Sequence, residues 1–323
     1  MPKIHKPRAG SLQFWPRKRA AKLLPSVNWK VLEKKYIKEK GVLGFICYKA
    51  GMCRAVVLDL TPDSMTKNKQ IIVPITILEC PSMKILGIRL YKNNKVVKDF
   101  ILKNLPKELK HKIKLPKKES EEKIEEKIDK VNLDEIDNIR VIAYSIVKQT
   151  SIKKTPDIAE IGLAGTLQDK LEFIKTNLNK DLTINDLVLK NKLVDVRGVT
   201  KGHGLTGPIK RFGIGLKSHK TEKGRRRPGT LGPWHPAHVS FRVAMAGQYG
   251  FFTRIHYNSK ILNIGKAENI PIEFSHYGKI KTNYIALKGS VQGTAKRQLL
   301  ITSSLRETKS AMKENFEIIK ILK

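Results

Sequence analysis

Acidic residues, cysteine and long apolar runs are all scarce in this chain. Only 29 Asp and Glu stand against 64 Lys and Arg in 323 residues, a formal net charge of +35 at pH 7. Such an excess repels itself in a compact state and points to a polyanionic partner. Three cysteines (Cys47, Cys53, Cys80) are too few for a disulfide framework and suit a reducing compartment. No window approaches the ~18 uninterrupted apolar residues of a membrane span, so no membrane partner is expected. The start, Met1-Pro2-Lys3-Ile4-His5-Lys6-Pro7-Arg8, is basic but has no apolar stretch behind it, which argues against a secretory signal. Apolar residues, at 40 %, still suffice for a core, and the length allows two domains at about 100–200 residues each. These absences leave a soluble intracellular protein suited to phosphates.

The charge comes in blocks. Residues 1–40 carry 12 Lys and Arg against Glu33 and Glu39, and residues 197–260 carry 13 against Glu222. Residues 119–137 reverse the balance, with nine acids and three lysines. Blocks of one sign suggest that some parts face an anion while others face water. Both basic blocks also lack the makings of a core. Eleven of the 22 glycines lie between Arg197 and His256, with Pro208, Pro228, Pro233 and Pro236. That density breaks any periodicity and leaves too little apolar area to offset the entropy of ordering.

Elsewhere the chain reads as folded. Strands are expected over Leu43–Leu58, Ile71–Cys80, Ile85–Tyr91, Ile139–Val147, Leu193–Val199, Tyr284–Val291 and Leu299–Thr302. Helices are expected over Glu119–Ile136 and Leu167–Asn179, from apolar residues three and four apart. The expected organisation is a basic N-terminal extension (1–40), a mainly β domain in two sequence parts (41–91 and 193–302) and an inserted α/β region (92–192). A basic loop (205–256) projects from the second part, and a C-terminal tail (303–323) follows.

Gly202-His203-Gly204-Leu205-Thr206-Gly207 spells a dinucleotide fingerprint, yet Pro208, Gly213 and Gly215 predict that no helix follows to receive a pyrophosphate. The glycines suit close backbone approach to a phosphate, or simply a flexible loop. His235-Pro236-Ala237-His238, with His219 nearby, lacks a Cys or carboxylate, and Pro236 prevents a continuous helix, so no metal is assigned. Buried free thiols are the expected state of the cysteines. No catalytic constellation is identifiable, and neither enzyme activity nor a cofactor is expected.

Trp234 follows Lys223-Gly224-Arg225-Arg226-Arg227, and Trp15 precedes Pro16-Arg17-Lys18-Arg19. An indole beside guanidinium groups in a coreless segment suits stacking on nucleotides. The alternative is that both tryptophans cap a core. A chromatin-type DNA-binding protein would also explain the charge, but neither clear helix is basic enough to read a groove.

Several motifs, in order, resemble the archaeal branch of the ribosomal protein L-three family, the universal third protein of the large subunit. They are Pro7-Arg8-Ala9-Gly10-Ser11-Leu12, Pro16-Arg17-Lys18-Arg19, Tyr48-Lys49-Ala50-Gly51-Met52 and the run from Asp195 through Arg197, Lys201 and His203 to Gly204. Gly207-Pro208-Ile209-Lys210-Arg211, Gly224-Arg225-Arg226-Arg227 and Gly232-Pro233-Trp234-His235-Pro236 follow. Ala246-Gly247-Gln248-Tyr249-Gly250, Arg254, Tyr257-Asn258 and Gly289-Ser290-Val291 complete the set. The chain departs from the family at Cys53, commonly Thr. It also departs at Gly289-Ser290-Val291-Gln292-Gly293-Thr294, where both prolines of the usual turn are missing.

The resemblance implies a six-stranded translation-protein β-barrel with an inserted α/β region and long basic, non-globular extensions that penetrate rRNA. It implies a structural constituent of the large ribosomal subunit in the cytoplasm, bound early in assembly near the 3′ end of 23S-type rRNA. Its partners would be that rRNA and neighbouring large-subunit proteins, with an indirect influence on tRNA and translation factors. A tryptophan finger approaching the peptidyl-transferase region falls on Trp234. The expected rRNA contacts are Arg8, Trp15, Arg17, Lys18, Arg19, Lys201, His203, Lys210, Arg211, Lys217, His219 and Lys223. Arg225, Arg226, Arg227, Trp234, His235, Arg254, Lys296 and Arg297 complete them.

Overall fold

A computed structural model describes residues 11–102, 105–114, 136–269 and 272–322. Its strands are β1 (Gly41–Val42), β2 (Gly44–Asp59), β3 (Gln70–Cys80), β4 (Met83–Lys92), β5 (Lys95–Ile101), β6 (Asn138–Ser145), β7 (Ile158–Ala164) and β8 (Leu193–Val199). They continue as β9 (Gly202–Thr206), β10 (Gly247–Gly250), β11 (Thr253–Gly265), β12 (Glu273–Phe274), β13 (Gly278–Lys279), β14 (Asn283–Lys288), β15 (Gln298–Ser303) and β16 (Phe316–Leu322). The α-helices are α1 (Trp29–Lys35), α2 (Leu167–Asn177), α3 (Pro208–Phe212) and α4 (Lys309–Lys313). The protein is mainly β. It divides into two compact units, residues 22–198 with 254–323, and residues 11–21 with 199–253.

The long strand β2 organises the larger unit. Phe45 to Tyr48 are buried without interruption, whereas from Met52 onward buried and open positions alternate. One side of β2 pairs with β3, from Tyr48 against Glu79 to Leu58 against Gln70. Its other side is shared, with residues 44–48 bonding β15 and residues 54–59 bonding β16. The seven-stranded order is β15-β8-β11-β14-β3-β2-β16, and the added β15–β2 pairing makes it return on itself. A second, five-stranded sheet has the order β1-β7-β6-β4-β5. Helix α2 starts with a capping box, in which Thr166 and Asp169 satisfy each other's backbone N–H groups. It buries Ile174 in the main core.

Three expected boundaries are corrected. The basic extension does not reach residue 40, because α1 places Trp29, Leu32 and Tyr36 in the main core. Gly44 makes room for that helix, since a Cβ there would lie 2.5 Å from the Trp29 ring. The inserted region does not begin at residue 92, because β4 already belongs to the five-stranded sheet and pairs with both β5 and β6. Residues 303–323 are not a tail, since β16 pairs with β2 and packs Phe316, Ile318 and Ile321 on a second core around Val57 and Ile75. The expected helix over Glu119–Ile136 lies outside the described residues except for Ile136.

Candidate nucleic-acid interface

The smaller unit begins at a two-stranded stem. β9 and β10 pair antiparallel, with Gly247 opposite Thr206 and Gln248 opposite Leu205. Gly250 closes the stem at φ +71°, where a Cβ would meet the Lys201 carbonyl oxygen at 2.0 Å, so only glycine fits. Contrary to the sequence expectation, a helix does follow Gly207. Pro208 occupies its first turn and Gly213, at φ +69°, ends it after five residues. The Gly202–Thr206 segment is an exposed strand rather than a loop.

Phe212, at the end of α3, is the buried centre of this unit. The Trp15 indole stacks on it with ring centroids 5.5 Å apart and planes 19° from parallel. Phe241 meets the indole edge-on at 6.2 Å. The Arg17 guanidinium lies 4.1 Å from the Phe212 ring centre and donates to the Arg211 carbonyl at 2.6 Å. Arg211 in turn donates to the carbonyls of Gln248 (3.0 Å) and Met245 (2.8 Å), and burial shifts its pKa downward. Trp15, Arg17 and Arg211 therefore hold the arm on the stem. Trp15 is half-buried in this packing.

The other expected contacts on this unit face solvent. Lys18, Lys201, Lys210, His219, Lys223, Arg226, Arg227 and His235 are exposed. Arg19 is exposed and donates to the Gln248 side chain at 3.3 Å. The exposed His203 ring stacks on Tyr249 at 5.1 Å. Half-buried Lys217 and exposed Arg225 are tied by backbone, with the Lys217 N–H donating to the Arg225 carbonyl at 3.2 Å and Arg225 Nε returning to the Lys217 carbonyl at 3.3 Å. Trp234 is 87 % exposed. From Gly213 to Tyr249 no residue is buried. The structure thus separates the two tryptophans, one packed and one presented. Arg8 lies outside the described residues.

Arg254, Lys296 and Arg297 belong to the larger unit. The Arg254 and Arg297 guanidiniums are half-buried, and desolvation shifts both pKa values downward. Lys296 is exposed, and its N–H donates to the Lys49 carbonyl at 2.8 Å. The proline-free turn at Gly289–Thr294 is held from inside. The buried Lys49 ammonium donates to the carbonyls of Val291 and Gly293, and Gln292 donates to those of Val196 (2.8 Å) and Arg254 (3.2 Å). Lys49, Gln292, Phe212 and Tyr249 carry positioning roles that sequence reading did not assign. For Phe212, the Gly207-Pro208 start and Gly213 stop were the available signal.

Fold and surface define a class: a mainly β protein with a basic extension that carries one acid among its described residues and lacks an aliphatic core. The chain belongs to the ribosomal protein L3 family, whose model matches residues 1–321. It is 39 % identical over 322 residues to the large ribosomal subunit protein uL3 of Methanosphaera stadtmanae, covering 95 % of this chain and 94 % of the relative. The protein of that name from Methanocaldococcus jannaschii is 38 % identical over 323 residues, covering 96 % and 94 %. That of Archaeoglobus fulgidus is 34 % identical over 321 residues, covering 95 % and 94 %.

Proposed function

We propose that this chain is a structural constituent of the large ribosomal subunit, located with that particle in the cytoplasm, and that its smaller unit is the rRNA-facing part. The observation that carries the reading is a contrast within the chain. In the smaller unit, three Lys and Arg in residues 11–21 and ten in 199–253 face one acid, Glu222, and no residue between Gly213 and Tyr249 is buried. Side chains that cannot make an interior must be ordered by something outside, and phosphates release counterions when lysine and arginine neutralise them. The packed Trp15–Phe212 base keeps the loop attached to its stem, while the exposed Arg225–Arg227 cluster and Trp234 reach rRNA backbone and bases.

The finer reading follows the family resemblance. The chain binds near the 3′ end of 23S-type rRNA, nucleates assembly, and directs Trp234 toward the peptidyl-transferase centre. A strand order that returns on itself through β15, β8, β11, β14, β3 and β2 supports a six-stranded barrel as the carrier. Salt-dependent binding of the full chain to a structured 3′ fragment of large-subunit rRNA and to duplex DNA tests this. RNA should win at every salt concentration. Replacing Arg225, Arg226 and Arg227 with alanine should flatten the log–log salt slope by about 2–3. Equal affinity for duplex DNA, or an unchanged slope, would overturn the proposal.

A further inference from the structure

Cys47 and Cys80 meet across the first sheet. The antiparallel β2–β3 register ends at Tyr48 against Glu79, and one step further along both strands stand Cys47 and Cys80. Their Sγ atoms are 2.9 Å apart and both side chains are buried in the main core. Opposed residues of antiparallel strands have Cα atoms about 4.5–5.5 Å apart, inside the span a disulfide bridges.

We propose that Cys47 and Cys80 are a disulfide site, joining β2 to β3 by a cross-strand bond. A thiol is a weak donor and a weak acceptor, so little is gained by holding two unbonded sulfurs this close. A metal ion does not fit between them. Two thiolates on one tetrahedral zinc, each at about 2.3 Å, lie about 3.8 Å apart, well beyond the observed gap. The approach matches a sulfur pair poised to bond, at a final S–S length of about 2.05 Å. Cys53 cannot compete, because it lies on β2 opposite Ile75 and packs in the second core.

The oxidant is a low-molecular-weight disulfide, RSSR. One cysteine thiolate attacks RSSR, forming a mixed disulfide and releasing RS⁻. The second cysteine thiolate displaces the remaining RS⁻, the Sγ–Sγ bond forms, and the two cysteine protons leave with two RSH. Both thiols are inaccessible once the core closes, so exchange happens while β2 and β3 are assembling. Burial then shields the finished bond from cellular thiols, which reconciles it with a reducing compartment.

The test refolds the full chain in oxidised and reduced glutathione, unfolds it in guanidinium with N-ethylmaleimide, and counts adducts by mass. One adduct, on Cys53, is expected, against three after prior reduction. Cys53→Ser should show none when oxidised and two when reduced, and this variant leaves the proposed pair intact. The oxidised chain should also melt about 5–10 °C above the reduced one, because the bond constrains the unfolded chain between Cys47 and Cys80. Three adducts, a bond that includes Cys53, or equal melting points would overturn the proposal.

Discussion

The Trp15 indole lies on the Phe212 ring at 5.5 Å, joining residues 197 positions apart in the sequence. Arg17 covers Phe212 at 4.1 Å and reaches the Arg211 carbonyl. The arm and the base of the basic loop thereby share one aromatic and cationic stack. Trp15→Ala or Phe212→Ala should loosen the arm by about 1–3 kcal/mol, from lost stacking and burial. Trypsin cleavage at Arg17, Lys18 and Arg19 should accelerate in either variant while amide exchange in β2 and β3 stays unchanged. Unchanged cleavage would show that the stack does not hold the arm.

Trp234 stands at the other extreme of burial. With 87 % of its surface exposed it contributes nothing to a core. Trp234→Ala should leave the melting temperature of the isolated chain within the range of a surface substitution, about 0.5 kcal/mol. Ribosomes carrying the variant should show altered tRNA handling or subunit maturation. A clear drop in thermal stability of the free protein would assign Trp234 to packing instead.

Lys49 is a buried cation whose partners include the carbonyls of Val291 and Gly293. Lys49→Met keeps the stem of the side chain but leaves both acceptors without that donor. The expected cost is about 1–3 kcal/mol, read as a lower denaturant midpoint. The Gly289–Thr294 turn should exchange its amides faster than in the parent chain. A variant as stable as the parent would remove Lys49 from the account of that turn.

Asp169 gives a pH prediction of definite sign. Hydrogen bonds from Lys40 and then Thr166 lower its carboxyl from the ordinary 3.8 to about 2. A depressed carboxylate pKa stabilises the folded state above the unfolded pKa, and the contribution is lost as pH falls through the folded value. Parent and Asp169→Asn should therefore differ most near neutral pH and converge between about pH 4 and 2. Denaturant unfolding across that range, with carboxyl titration by NMR, checks it. A constant difference down to pH 2 would show that the charge of Asp169 is not the cause.

Much of the scaffold could be read from residue pattern. Strand Leu193–Val199 has its expected limits, Ile71–Cys80 gains one residue, and the helix from Leu167 ends at Asn177 instead of Asn179. Helix α1 was hidden by charge, although Trp29, Leu32 and Tyr36 repeat at helical spacing inside the basic block. Strand β16 was readable from the short apolar run Phe316-Glu317-Ile318-Ile319-Lys320-Ile321-Leu322, but lay in a segment read as a tail. In the candidate interface, the exposed basic cluster and Trp234 followed from composition. The roles of Trp15, Arg17 and Arg211 did not, because they depend on contacts with Phe212, Met245 and Gln248.

Composition marked residues 213–249 as unable to form an interior, because burial needs apolar side chains in a regular period and that glycine-rich stretch has none. Family membership was equally legible, since its motifs are runs of neighbouring residues. Tertiary structure decided which of Trp15 and Trp234 is packed, which guanidiniums are occupied with carbonyls, and which cysteines face one another. Those outcomes are set by strand register and by contacts between distant segments, and a linear pattern carries no record of either.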